Sequence, residues 1–199
     1  QGGEYEILKG GEVFFKNNIV GLEVEVEFAE MYQNQPLFSD VDIFVRDKLG
    51  LELWDIRKVY WKYKQNKYQA PLKGRLIFGD ALYLRPALSV DSWLSEMDKD
   101  TASSKMKALI TSAIAYGYLD YASTLLSKGY SDKYITKETK EQYIQQVKKM
   151  SKGFYPFKNG NKFLYRVFSV LLKIFEPSYK GFGTADSNLG SKKRLFFWN

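Results

Sequence analysis

Three glutamates on alternate positions, Glu23, Glu25 and Glu27, are interleaved with Leu22, Val24, Val26 and Phe28. Strict alternation over this length specifies a β-strand with one apolar and one acidic face. Same-face neighbours on a strand lie only about 6.8 Å apart. Three carboxylates in such a row repel unless water, cations or hydrogen-bond donors meet them. Glu25 and Glu27 stand nearest the carboxyl end, where open α/β sheets bind ligands. There they suit sugar hydroxyls or a hard cation, although basic residues from a neighbouring element would satisfy the same row. Asp80 lies among Phe78, Leu82 and Leu84 on what reads as an apolar strand face. If that face is buried the acid must be hydrogen-bonded. That fits a structural acid held by backbone or arginine as well as a substrate-binding one.

The absent residue types narrow the chemistry further. The chain has no Cys and no His, which excludes disulfides, Cys or His zinc sites, thiol nucleophiles and Ser-His-Asp triads. A general base must be Asp, Glu, Lys or Tyr, and any metal would need oxygen ligands. With 45% hydrophobic and 17% aromatic residues, the 199-residue chain has the means to build a real core. It opens Gln1-Gly2-Gly3-Glu4, without an initiator Met or a signal-peptide layout. We read it as a piece of a longer protein, compatible with a cytoplasmic location and leaving membrane association open.

Positioning these residues requires strands and helices, and their signals divide near residue 88. Residues 1–88 carry a net charge of −1 and alternate helix and strand patterns, whereas residues 89–199 carry +8 and read as almost wholly helical. In the first part, a helix is expected from Glu4 to Lys16, weakened by Gly10-Gly11. The acidic strand follows, then a helix from Phe38 to Leu49, opened by Ser39-Asp40 and ended by Gly50. Two aromatic-rich strands, Leu51 to Tyr63 and Arg75 to Arg85, are joined by a loop from Asn66 to Gly74. In the second part, helices are expected at Ser89 to Met97, Ala102 to Ser127, Lys137 to Met150 and Lys162 to Glu176. Ser178 to Arg194 reads as a mobile tail.

Five short stretches of the first part carry a resemblance: Gln1-Gly2-Gly3-Glu4-Tyr5-Glu6-Ile7-Leu8-Lys9-Gly10; Leu22-Glu23-Val24-Glu25-Val26-Glu27-Phe28; Tyr32 with Gln35-Pro36-Leu37-Phe38; Gly50-Leu51-Glu52-Leu53-Trp54-Asp55; and Gly79-Asp80-Ala81-Leu82-Tyr83-Leu84-Arg85. In this order they resemble the later half of FkbM-family methyltransferases. The resemblance covers residue 1 to about residue 88. It implies S-adenosylmethionine as cofactor and O-methylation of a sugar, glycan or secondary metabolite. It also implies a fold: the C-terminal portion of a doubly wound, Rossmann-like α/β domain, followed here by a basic α-helical extension over residues 89–199. Under it, Glu4 is the candidate catalytic carboxylate, either binding acceptor hydroxyls or taking a proton. Glu25, Glu27, Tyr32 and Asp80 are candidate substrate-binding residues, and Gln1 and Gly2 are candidate cofactor-binding residues. The family's glycine-rich turn and ribose-binding acid have no counterpart in this sequence, so the cofactor would be held mainly by upstream residues. The lone Gly181-Phe182-Gly183 follows a proline-terminated helix rather than a strand and is not a nucleotide fingerprint. Trp54, Tyr60, Trp61 and Tyr63 read as core and rim aromatics or as a sugar-stacking surface.

The basic half has dispersed lysines and no recognised nucleic-acid motif, so no nucleic-acid partner is expected. Its most distinctive segment is Lys162 to Glu176. At 100° per residue, Lys162, Arg166 and Lys173 fall within about 40° of one another, opposite an apolar arc of about 200°. Such a helix packs into the fold or a partner subunit, or lies on an anionic membrane surface; packing is the expectation. The alternative to an enzyme is a non-catalytic interaction or membrane-docking module, and a homo-oligomer is left open.

Overall fold

A computed structural model describes residues 2–63, 74–151, 161–174, 183–186 and 189. Its centre is a sheet of β1 (Gly21–Glu27), β2 (Glu52–Trp61), β3 (Arg75–Leu84) and β4 (Gly183–Ala185), in the order β1-β3-β2-β4, with every neighbouring pair antiparallel. Strand β3 runs antiparallel to both neighbours. Therefore β1 and β2 run parallel to each other, linked by helix α3 (Phe38–Leu49), with β3 inserted between them. The carboxyl ends of β1 and β2 lie along one edge of the sheet.

Period-two alternation along β3 divides the apolar residues into two cores. Ala81 and Tyr83 face one side, with Val24 and Val26 of β1, Leu8 of α1 (Glu4–Gly10), and Val41, Phe44, Val45 and Leu49 of α3. Leu82 and Leu84 face the other, beneath α4 (Val90–Leu94), α5 (Lys99–Ala115) and α6 (Leu119–Ser131). There Trp93, Met106, Leu109, Ile110, Leu125 and Leu126 are buried, and Tyr143 and Ile144 of α7 (Lys137–Ser151) pack on the outside. The described body is an α/β/α sandwich. The charge boundary at residue 88 is not a packing boundary, since residues on both sides share the second core.

The expected helix ends hold where local chemistry decides them. Asp40 Oδ2 accepts the Leu37 N–H at 2.8 Å at the start of α3, and Gly50 closes it at φ 68°. Two expected single helices are divided. Gly11 separates α1 from α2 (Glu12–Asn18), because Gly10-Gly11 gives the backbone little reason to continue. Gly117, at φ 83°, separates α5 from α6. The Gly117 N–H reaches Ile114 O and the Tyr118 N–H reaches Ala113 O, a Schellman closure that turns the chain between two similarly apolar segments.

Arg85 joins the pieces. It is 4% exposed; its Nη2 donates to Lys16 O, Ile19 O and Leu49 O, at 3.0, 3.2 and 3.4 Å. The guanidinium lies 3.9 Å from the Trp93 ring centroid, and its own carbonyl accepts the Tyr121 hydroxyl. One side chain thus binds both helical layers to the end of β3. Burial lowers its pKa to about 10, leaving it charged at neutral pH.

Two expectations for the C-terminal region change. Residues 183–185 form β4 on the outer edge of β2, pairing Val59 with Ala185 and Trp61 with Gly183, where a mobile tail was expected. The remainder of that tail lies outside the described residues apart from Asp186 and Leu189, as does most of the Asn66–Gly74 loop. Helix α8 (Lys162–Ile174) forms as the periodicity requires, but among the described residues it is not packed as expected: Phe163, Phe168 and Val170 are exposed, and neither core contains any of its residues. Among the described residues, no helix is long and apolar enough to cross a membrane.

Candidate functional site

The acidic strand delivers its glutamates to three different environments. Glu23 lies toward the amino end and accepts the Tyr116 hydroxyl at 2.5 Å. This bond, more than burial, raises the phenol to about 12, so Glu23 is structurally satisfied. Glu25 stands opposite Asp80 on β3. Desolvation raises its pKa, with the Glu4 and Asp80 charges adding to the effect. Glu27 ends the strand and is 3% exposed. Burial first, then the charges of Glu4 and Glu25, hold its carboxyl at about 7.

Glu4 reaches this position from the first turn of α1, which carries it towards the carboxyl end of β1. Glu4 Oε2 and Glu27 Oε1 are both buried without a hydrogen-bond partner. Buried carboxylate oxygens left in that state are costly, which agrees with the raised proton affinity of Glu27.

The β1–α3 loop contributes a buried amide. Gln35 is buried, and its Oε1 accepts the Met31 and Tyr32 N–H groups at 3.0 and 3.3 Å. Its Nε2 is buried and unpartnered. Gly2, at φ 80°, passes so close that a Cβ there would come within 3.0 Å of this nitrogen. Both the left-handed backbone and the close approach require glycine. Tyr32 stands exposed at the rim.

Asp80 is a paired acid. Arg57 Nε and Nη2 donate to Asp80 Oδ2 at 2.8 and 2.5 Å, across the β2–β3 register. This matches the expectation of an acid held by arginine. It also neutralises one of the charges facing Glu25, leaving Glu4, Glu25 and Glu27 as the unbalanced set.

The fold brings Glu4, Glu25, Glu27 and Asp80 within electrostatic reach of one another, and Gly2 against Gln35; Tyr32 is exposed on the β1–α3 loop, and Gln1 lies outside the described residues. Reasoning from sequence missed Gln35 as a site residue and Arg57 altogether. Gln35 had a signal, since a polar side chain between Asn34 and Pro36 sits in a tight loop, and Asn34 is left-handed at φ 58°. Arg57 had none, because its role depends on the pairing register of distant strands. The aromatic candidates divide: Trp54 packs on Tyr118 and Tyr121 in the second core, with ring centroids 4.7 and 4.4 Å apart. Trp61 meets Phe78 edge-on at 5.9 Å near the site end of the sheet.

Chemically, two unpartnered carboxylate oxygens and one amide donor suit a neutral polyhydroxylated ligand or a cationic one. A carboxyl near neutrality suits reversible proton transfer. Among the described residues, no group of three or more acids is arranged to hold a metal ion. No protein-family model, curated protein or solved structure matches this chain.

Proposed function

We propose that this chain forms the acceptor-binding half of an S-adenosylmethionine-dependent O-methyltransferase acting on a hydroxyl of a sugar, glycan or secondary metabolite. One observation carries the reading: Glu27, buried and unpartnered at the carboxyl end of β1, holds a proton affinity near neutrality beside Glu4. The β1-α3-β2 unit with an antiparallel β3 is compatible with the closing portion of a doubly wound sheet, which often carries an antiparallel strand on a parallel core.

The residues present fit the cofactor at their own edge of the site. The unpartnered oxygens of Glu4 and Glu27 can receive hydroxyls or meet positive charge, and Gly2 leaves room for close backbone approach. S-adenosylmethionine, held mainly by residues upstream of Gly2, supplies the electrophilic methyl carbon when bound. This chain's part is to hold the acceptor and handle its proton. Glu4 and Gln35 Nε2 fix the acceptor through its hydroxyls, with Tyr32 closing the rim. Glu27 takes the proton of the reacting hydroxyl, a role for which a pKa of about 7 is well matched. Alignment of that hydroxyl contributes most of the rate. This assigns the proton to Glu27 and leaves Glu4, the residue singled out from sequence, as a ligand to the acceptor.

Methyl transfer measured in the protein with its upstream segment tests the reading. Glu27→Gln should lower kcat by a hundredfold or more, the usual range for a general base. Glu4→Gln should act mainly on KM. Full activity in both variants would refute the assignment. Calorimetry on the 199-residue chain alone should find no S-adenosylmethionine binding, and micromolar binding there would refute the upstream location of the cofactor contacts.

A further inference from the structure

We propose that α8 is a membrane-surface helix that lies along an anionic lipid headgroup layer. Phe163 is 74% exposed, Phe168 59%, Val170 61%, Leu171 46% and Leu172 49%. A helix left with this much apolar surface requires a nonpolar environment outside the described fold. The polar side of the helix indicates which environment. Positions 162, 166 and 173 share one narrow arc and are all basic, while α8 contains no acidic residue at all.

The charge extends beyond the helix. From Lys148 to Phe175 the sequence has seven Lys or Arg residues and no Asp or Glu. A second copy of the chain would set this cationic stretch against its own like, and a protein partner would need a dense acidic rim around an apolar groove. An anionic bilayer meets both requirements in one surface: the apolar arc enters the acyl boundary while the cations remain among the headgroups. The helix is too short and too charged to span the bilayer. It therefore lies in the interfacial plane, and the sheet site stays in water.

Cosedimentation of the full chain with vesicles tests the proposal. Binding is expected to vesicles of 70% phosphatidylcholine and 30% phosphatidylserine, and to be at least tenfold weaker to pure phosphatidylcholine or in 0.5 M salt. Phe168→Asp with Leu171→Asp should abolish binding. Lys162→Glu with Arg166→Glu should weaken it at least tenfold. All four substitutions lie on exposed positions, so melting temperatures should stay within a few degrees of the parent. Equal binding to both vesicle types, or none to either, would overturn the proposal. So would a marked loss of melting temperature in the Asp pair, which would show that α8 is packed. Dimerisation abolished by the Asp pair would identify a second copy as the occupant instead.

Discussion

Replacing Glu27 with Gln separates the charge of this side chain from its shape. In the folded chain the carboxyl sits at about 7, against an ordinary 4.5. Between those values the folded protein holds a proton that the unfolded chain has released. Stability attributable to Glu27 is therefore intact below about pH 4.5 and falls as pH rises through about 7. At 1.36 kcal/mol per unit, the full shift amounts to roughly 3 kcal/mol. Partial hydration of the carboxylate reduces this, so the advantage of the Gln variant over the parent should grow by about 1–3 kcal/mol between pH 4.5 and pH 8. The comparison is clean because the chain has no His to titrate in the same range. The other shifted acid nearby, Glu25, is present in both proteins. Urea unfolding followed by tryptophan fluorescence at the two pH values gives the quantity directly, provided that the denaturant slopes agree. An advantage that does not change with pH, or a Gln variant less stable than the parent at pH 8, would refute the account of Glu27.

Arg85→Ala should cost about 2–4 kcal/mol in urea unfolding, since it takes the arginine donor from carbonyls at the ends of α2 and α3 and removes the stack on Trp93. Arg85→Lys should recover less than half of that, because an ammonium cannot reproduce the planar fork. Gly117→Ala should cost about 1–2 kcal/mol, the price of forcing a Cβ into a left-handed backbone, whereas Gly10→Ala should be neutral or mildly stabilising, there being open space for the added Cβ.

The parts of this fold that sequence makes legible are those decided within a few residues. The acidic strand announces itself by alternation, and α3 by a first-turn aspartate and a terminal glycine. Alternation also places Glu25, Glu27 and Asp80 on one face of the sheet without any knowledge of their partners. What remains hidden depends on distant pairing. Arg57 neutralises Asp80 only because β2 and β3 align in one particular register. The turn at Gly117 is masked by apolar segments of the same period on either side, so that α5 and α6 read as one helix. For α8 the periodicity gives the helix and its two faces correctly. It cannot say whether the fold has any surface left to cover them, and here the second core is already closed by α4 to α7.

The late arrival of β4 has a consequence for how the chain reaches its native state. Lys58 N–H finds Asp186 at a separation of 128 residues, so this contact carries a large loop-closure cost and belongs to the slow end of folding. Until β4 docks, the outer edge of β2 presents unpaired peptide groups, a template for strands of other molecules. During synthesis β2 leaves the ribosome well before residue 183 does. The three-residue strand therefore acts less as a source of stability than as a late cover on an adhesive edge, and its absence would be felt first as self-association and only afterwards as unfolding.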